Sequence, residues 1–238
     1  MITVRRASER GAFNFGWLDT RHTFSFGRYF DERWTGFGAL RVLNEDRVRP
    51  GRGFDTHGHR DMEIVSIVLS GAIEHRDSLG THGVIRPGEV QRMSAGRGVL
   101  HSEHNASRSE PAHFLQIWID PSERGIDPSY EQRAFPPEQR RNRLRVLVAP
   151  SDEAAKAGTL SIHQDARMLS AALEPGASVR HDLGSMRRAW LHVVSGRVRL
   201  EGNELEAGDG AGIENEGSIE ISGASPSEVL VIDLPNPG

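Results

Sequence analysis

Apolar residues in this chain fall in short runs divided by glycine, proline, asparagine and aspartate, and the longest strictly apolar runs, such as 229–232, are four residues long. Runs of that kind, closed off by turn residues, predict strands. Strands are expected at 39–43, 63–69, 114–119, 144–148, 189–194 and 229–234. Turn signals recur roughly every ten residues, as in a β-sandwich or small barrel. Helical periodicity is scarce. The segment SDEAAKA predicts one short helix over 151–157, with Ser151 as N-cap and Gly158 as its stop, and a second helical turn is expected near 136–141. The pattern therefore predicts an all-β protein.

The pattern is also doubled. IVSIVLSG (64–71) leads into AIEHRDS, and WLHVVSG (190–196) leads into RVRLEG. GVIRPGE (83–89) has its counterpart in NELEAGD (203–209), so Gly71 aligns with Gly196 and Gly88 with Gly208. Such a weak repeat, with a period near half the chain, predicts two similar domains. Between them the segment 127–143 carries paired prolines and dense charge without apolar periodicity, and is expected to be a linker. The expected division is 1–130, a linker at 131–143, and 144–238.

Composition narrows the function classes. With 37% hydrophobic residues, 26% charged residues and a mean hydropathy of −0.48, the chain is expected to be soluble and globular. A bilayer-spanning helix needs about 20 apolar residues in a row, far beyond any run here. The opening MITVRRASERG has charges but no apolar stretch and no small-residue cleavage site, so no signal peptide is expected. Cysteine is absent, which excludes disulfides, thiolate metal sites and a cysteine nucleophile, and fits a cytoplasmic address. Lys+Arg 29 against Asp+Glu 33, a net charge of −4, leaves no basic stripe for nucleic acid. The 26 glycines suit many turns between short strands.

The candidate chemistry lies in the histidines. Of 11 in the chain, seven fall between residues 57 and 113. His57-Gly58-His59 and His101-Ser102-Glu103 are the two notable clusters. On a strand, residues i and i+2 point to one face. Two such strands facing each other would bring three imidazoles and one carboxylate together. That donor set suits a first-row divalent ion with positions left for water, substrate or dioxygen. His75, His82, His104 and His113 are expected to be non-ligands, His75 at a hairpin end and His104 because its parity from His101 is wrong. His22, Phe24 and Phe26 alternate; they fit a half-buried strand, or else the mouth of an aromatic pocket. Gly96 and Gly98 lack the lysine and helix of a phosphate loop. Arg140, Arg141 and Arg143 are expected to be solvated, and Asp165 and Asp233 lack the serine–histidine partners of a hydrolase triad.

These motifs resemble those of the cupins. Gly51, His57, His59, Glu63 and Gly71 follow the first cupin motif, except that seven residues rather than six separate Glu63 from Gly71. One extra residue on a strand reverses its facing, which turns Glu63 off the ligand face and leaves Glu103 in its place. Gly88, Gly96, His101 and Asn105 follow the second motif, with Ser94 for its proline and two extra residues before the histidine. GFDTHGHRDMEIVSIVLSGAIEHRDSLG, MSAGRGVLHSEHN and QIWIDPSERGIDPSYEQR are similar to the pirin family, and RRASERGAFNFGWLDTRHTFSFGRYFD to its bacterial branch. The resemblance implies a bicupin: two double-stranded β-helix (jelly-roll) barrels packed together in one chain. It implies one divalent ion in the N-terminal barrel, held by His57, His59, His101 and Glu103. Iron(II) is put first, with nickel, cobalt, manganese, copper or zinc as alternatives. Carried through the repeat, the four ligand positions land on Asp182, Gly184, Ile221 and Gly223, and a one-residue slip reaches only His181. The C-terminal barrel is thus expected to hold no metal.

The bacterial branch includes quercetin 2,3-dioxygenases, so the resemblance implies a dioxygenase that opens the heterocycle of flavonols such as quercetin and releases carbon monoxide, with Glu103 as base. Its partners would be a flavonol and dioxygen, with neither nucleic acid nor membrane, and the protein would be a monomer. The eukaryotic members imply an alternative, an iron-binding regulator acting through protein–protein contacts. A cupin isomerase acting on sugar phosphates is a weaker reading, since no strand carries an anion-binding arginine pattern.

Overall fold

A computed structural model describes residues 1–236 of the chain. The chain divides into two compact units. One comprises Gly11–Ala134 with Leu160–Gln164; the other comprises Met1–Arg10, Phe135–Thr159 and the chain from Asp165 onward. Both are built almost wholly of antiparallel strands.

In the first unit the larger sheet runs, edge to edge, Ser129–Ala134, Glu89–Ser94, Glu63–Ser70, Ala112–Ile119, Leu40–Val48, Leu18–His22 and Gly11–Asn14. The smaller runs Gly53–His59, Val99–Asn105, Ile73–Asp77 and His82–Ile85. The second unit repeats the order. Its larger sheet contains Ile2–Arg5, Gly210–Glu214, Arg187–Ser195, Ser227–Pro235, Arg167–Leu173 and Arg145–Pro150, and its smaller one Ser178–Asp182, Ser218–Gly223, Arg197–Leu200 and Asn203–Glu206. Each unit is therefore one cupin barrel, and the predicted bicupin is the fold observed.

The aligned glycines show why the repeat is visible in sequence. Gly71 and Gly196 both have φ of +73°. A Cβ at Gly71 would lie 2.5 Å from the Pro111 carbonyl oxygen, and one at Gly196 2.1 Å from that of Pro226. The same hairpin corner abuts the same crossing chain in both barrels, and only glycine fits it.

Each barrel buries its core between its two sheets. In the second unit Leu169, Leu191 and Val229 of the larger sheet meet Val179, Val198, Ile219 and Ile221 of the smaller. In the first unit Val48, Val68 and Phe114 meet Ile73 and Ile85. The strand Val99–Asn105 turns His101, Glu103 and Asn105 inward, where strict alternation would normally deliver apolar side chains. The same place in the second barrel holds Ile219 and Ile221, because Ile219 pairs with His181 as His101 pairs with His57.

All six expected strands exist, each longer than its apolar stretch. The helix Ser151–Ala157 forms and ends at Gly158 in the left-handed conformation, but Pro150 occupies its N-cap and no side chain caps it. The turn near 136–141 is the 3-10 segment Pro137–Gln139. The expected boundaries need correction in two places. Ile2–Arg5 pairs with Gly210–Glu214, so the chain's first strand belongs to the second unit. Residues 129–134, expected to straddle the linker, form an edge strand against Glu89–Ser94. An edge strand needs no apolar run, because one of its borders and part of one face are solvated. Arg140 is not solvated: it is mostly buried, paired with Glu228 and 3.1 Å from Ser170 Oγ. Arg141 pairs with Glu174 at the surface.

Candidate metal centre

The strand Gly53–His59 lies antiparallel to Val99–Asn105, with His57 directly across from His101. The register shifts between His101 and Glu103, so that Glu103 faces Phe54. Such a bulge re-aims a side chain without ending the pairing. The two strands approach closely at Gly53, where a Cβ would lie 2.2 Å from the carbonyl oxygen of Glu103.

The nitrogens of His57, His59 and His101 lie within 4.8 Å of one another. Those of His75 and His101 and the Glu103 carboxylate form a second such group, so His101 belongs to both. Nδ1 of His57 stands 2.7 Å from the Asp55 carbonyl oxygen. A carbonyl only accepts, so Nδ1 carries the proton and the Nε2 lone pair turns inward. There it faces His101 Nε2 at 3.1 Å. Two imidazole nitrogens bound at right angles to one ion at ~2.1 Å would stand ~3.0 Å apart, so the observed gap fits a shared divalent ion. Burial and neighbouring imidazoles hold His59 and His101 neutral, as ligation requires: His59 falls to about 4, burial first and His57 second, and His101 is lowered further by burial and by His57, His59 and His75.

Glu103 is buried, its Oε2 accepting from Gln116 Nε2 at 2.8 Å and its Oε1 from Ser66 Oγ at 3.3 Å. Burial pushes its carboxyl up to about 7, and the nearby Asp46 adds to the rise against the two hydrogen bonds. Glu63 is elsewhere. It is also buried, but it accepts from Ser94 Oγ at 2.9 Å and lies 3.5 Å from His163 Nδ1. His82, His104 and His113 each face a carboxylate, Glu74, Asp55 and Glu45 respectively. His75 departs from expectation: it sits fully buried in mid-sheet, directly across from Glu103.

A cavity of about 450 Å³ opens onto His57, His59 and Glu103. Trp17, Phe26, Phe54 and Trp118 supply its aromatic walls, and Asn44, Asp46 and Gln116 its polar ones. Trp17 meets Phe54, and Phe26 meets Trp118, edge to face with centroids 5.3 Å apart. Trp118 also stands 4.9 Å from His59. Of the HTFSF motif only Phe26 reaches the cavity; His22 ends a strand and Phe24 is core. Sequence spacing missed the remaining walls because they come from three separate strands and the turn before Leu18–His22.

Comparison with known proteins places this geometry. The sequence profile "Pirin" matches residues 3–119, and that of the "Quercetinase C-terminal cupin domain" matches 147–234. A protein of Escherichia coli (strain K12) named quercetin 2,3-dioxygenase is 46% identical over 235 residues, covering 99% of each chain. This chain belongs to the pirin family. Among solved structures, the pirin YhhW from Escherichia coli superposes with a TM-score of 0.95 at 45% identity, covering 100% of this chain and 99% of that one. A second structure of the same bacterial pirin, in complex with nickel(II), gives a TM-score of 0.94 at 44% identity, covering 100% of both chains. Among the described residues of this pirin, no helix is long and apolar enough to cross a membrane.

Proposed function

We propose that this pirin is a metal-dependent dioxygenase of the quercetin 2,3-dioxygenase type, with His57, His59, His101 and Glu103 as the ligand set. The observation that carries the reading is an aromatic-walled cavity that ends on the imidazoles of His57 and His59 and the buried carboxylate of Glu103, with His101 beside them. Its volume is in the range of pockets that enclose ligands of drug size. The Escherichia coli (strain K12) relative named above bears that activity in its name.

The walls suit a flat polyphenol. Trp17, Phe26, Phe54 and Trp118 would contact the ring faces and edges of a flavonol, while Asn44, Asp46 and Gln116 offer polar atoms to its hydroxyls. A bound divalent ion would supply a Lewis-acidic anchor for the flavonol 3-oxyanion. Glu103, held against the cavity by Gln116 and Ser66, is placed to receive the proton of the 3-hydroxyl. In the net reaction the two oxygen atoms of dioxygen add at C2 and C4, the bonds from C3 to both break, and C3 leaves as carbon monoxide. The apolar walls keep bulk water from the opened ring.

Iron(II) heads the ions to be tested, followed by nickel, cobalt, manganese and copper. The protein is reconstituted with each in turn and supplied with quercetin and dioxygen. Loss of flavonol absorbance with evolution of carbon monoxide is expected with at least one ion. If every ion binds and none supports turnover, the dioxygenase reading fails and the regulatory one takes its place.

A further inference from the structure

His75 and Asp77 take no part in the ligand set, yet their side chains are wholly buried beside it. Both lie on the strand Ile73–Asp77, which borders the ligand strand Val99–Asn105. Asp77 Oδ1 accepts the backbone N–H of Leu79 and of Thr81, each at 2.9 Å. That leaves Oδ2 for Nε2 of His75, 3.0 Å away. A carboxylate that accepts there sets the tautomer: His75 carries its proton on Nε2, and its Nδ1 is a lone pair. Two donors converge on that lone pair, Gln91 Nε2 at 3.3 Å and His101 Nδ1 at 3.5 Å. The Tyr130 ring covers the His75 imidazole at 4.8 Å.

We propose that Asp77 and His75 form a buried positioning relay that keeps the proton of His101 on Nδ1, so that its Nε2 lone pair faces the metal site. The inference rests on the ligand set proposed above. Without the relay His101 has a competing arrangement. Its proton moves to Nε2, which donates across the 3.1 Å gap to His57 and closes the site against an ion. Groups that orient a metal-bound histidine through its other nitrogen typically change metal affinity by ~10–100-fold when altered. Here the orienting group is itself a histidine, and its own tautomer is fixed one step further back by Asp77.

Asp77→Asn tests the relay with little change of shape. The carboxamide oxygen can still accept from Leu79 and Thr81, but its NH2 then faces His75 Nε2. An NH2 cannot accept, so the His75 proton moves to Nδ1 and meets the Nδ1 proton of His101. A wrong-tautomer effect of this kind is known to be severe where an aspartate orients a catalytic histidine. The measurements are zinc affinity, by competition with a chelating dye, and the 15N resonances of the imidazoles in the zinc-loaded full chain. In the unmutated protein His75 is expected to be protonated on Nε2, with a hydrogen-bond coupling between His101 Nδ1 and His75 Nδ1. Asp77→Asn and His75→Phe are each expected to weaken zinc binding at least tenfold with an unchanged β-sheet circular dichroism spectrum. A His75 proton on Nδ1 in the unmutated zinc-loaded protein overturns the relay, and that spectrum decides even if neither variant folds. Unchanged zinc affinity in Asp77→Asn overturns it as well. If zinc leaves the resonances of His57, His59 and His101 unmoved, the ligand set itself is wrong and the relay falls with it; that failure is distinct from one in which zinc binds and the variants bind it equally well.

Discussion

Glu63 and Glu103 are both buried carboxylates with raised pKa values, and burial is the first cause in each. Their partners separate them: Gln116 and Ser66 hold Glu103 against the cavity, whereas Ser94 and His163 hold Glu63 away from it. Glu103→Gln removes the proposed base, and turnover of quercetin is expected to fall by at least ~100-fold. Glu63→Gln is expected to keep its metal, as elemental analysis would show; loss of metal there would overturn the facing argument. Glu63 also gives a pH signature. Its folded pKa lies above 4.5, so between 4.5 and that value the folded chain binds more protons than the unfolded one. Stability contributed by the protonated group is full below 4.5 and is lost as pH rises through the folded value. Glutamine suffers no such loss. The stability of Glu63→Gln relative to the unmutated protein should therefore grow from pH 4.5 upward, at a slope of ~1 kcal/mol or more per pH unit until the folded value is passed. Urea titrations at pH 5 and pH 8 measure it, and a relative stability of Glu63→Gln that is unchanged or lower at pH 8 contradicts it. The facing of these two glutamates was legible because one inserted residue flips a strand. His75 was less so. Ile73, His75 and Asp77 share one parity, with Ile73 marking the inward face, but nothing local says that a charged-looking EHRD segment runs beside Val99–Asn105.

At the level of elements, glycine carries the most specific information. Gly71→Ala and Gly196→Ala are expected to destabilise their barrels by comparable amounts, ~1–3 kcal/mol each from backbone strain alone, with more from the close carbonyls. Gly53→Ala acts differently. Its φ is unexceptional, but its Cβ would press on the backbone of Glu103 and pry apart the two strands that carry the proposed ligands. Reduced metal affinity should therefore accompany its loss of stability, whereas Gly196→Ala should leave affinity intact. Thermal melts with and without added metal separate the two behaviours; equal metal affinity in Gly53→Ala and the unmutated protein would refute the coupling. Strand existence was legible from the apolar runs, and helix termination from Gly158. Strand partners were not. The pairing of Ile2–Arg5 with Gly210–Glu214 joins segments some two hundred residues apart, and no periodicity encodes so distant a choice. The edge strand Ser129–Ala134 escaped notice because proline and charge beyond it resemble a linker, while its own pairing to Glu89–Ser94 demands only backbone hydrogen bonds.

The two barrels share their strand order but fill their interiors differently, and this sets the expected stoichiometry of the whole molecule. Where His57 faces His101 in one barrel, His181 faces Ile219 in the other. His181 Nε2 is 2.8 Å from Asp233 Oδ2, and Arg187 pairs with the other oxygen of that carboxylate. Among the described residues no group of three potential metal ligands includes His181, and an isoleucine lies across from it. One ion per chain is therefore expected. His59→Ala should strip that ion, and His181→Ala should leave the metal content unchanged while costing ~1–3 kcal/mol of stability through the polar group it leaves unpaired. Metal bound to the native chain but not to the unfolded one adds RT ln(1 + [L]/Kd), about 2.7 kcal/mol at a hundredfold excess over Kd. Chelation should accordingly lower the melting temperature of the unmutated protein and of His181→Ala by similar amounts, and that of His59→Ala hardly at all. Calorimetry and elemental analysis on the same samples test both halves of the expectation. Two ions per chain, or a chelator shift that disappears in His181→Ala and survives in His59→Ala, would place the metal in the other barrel.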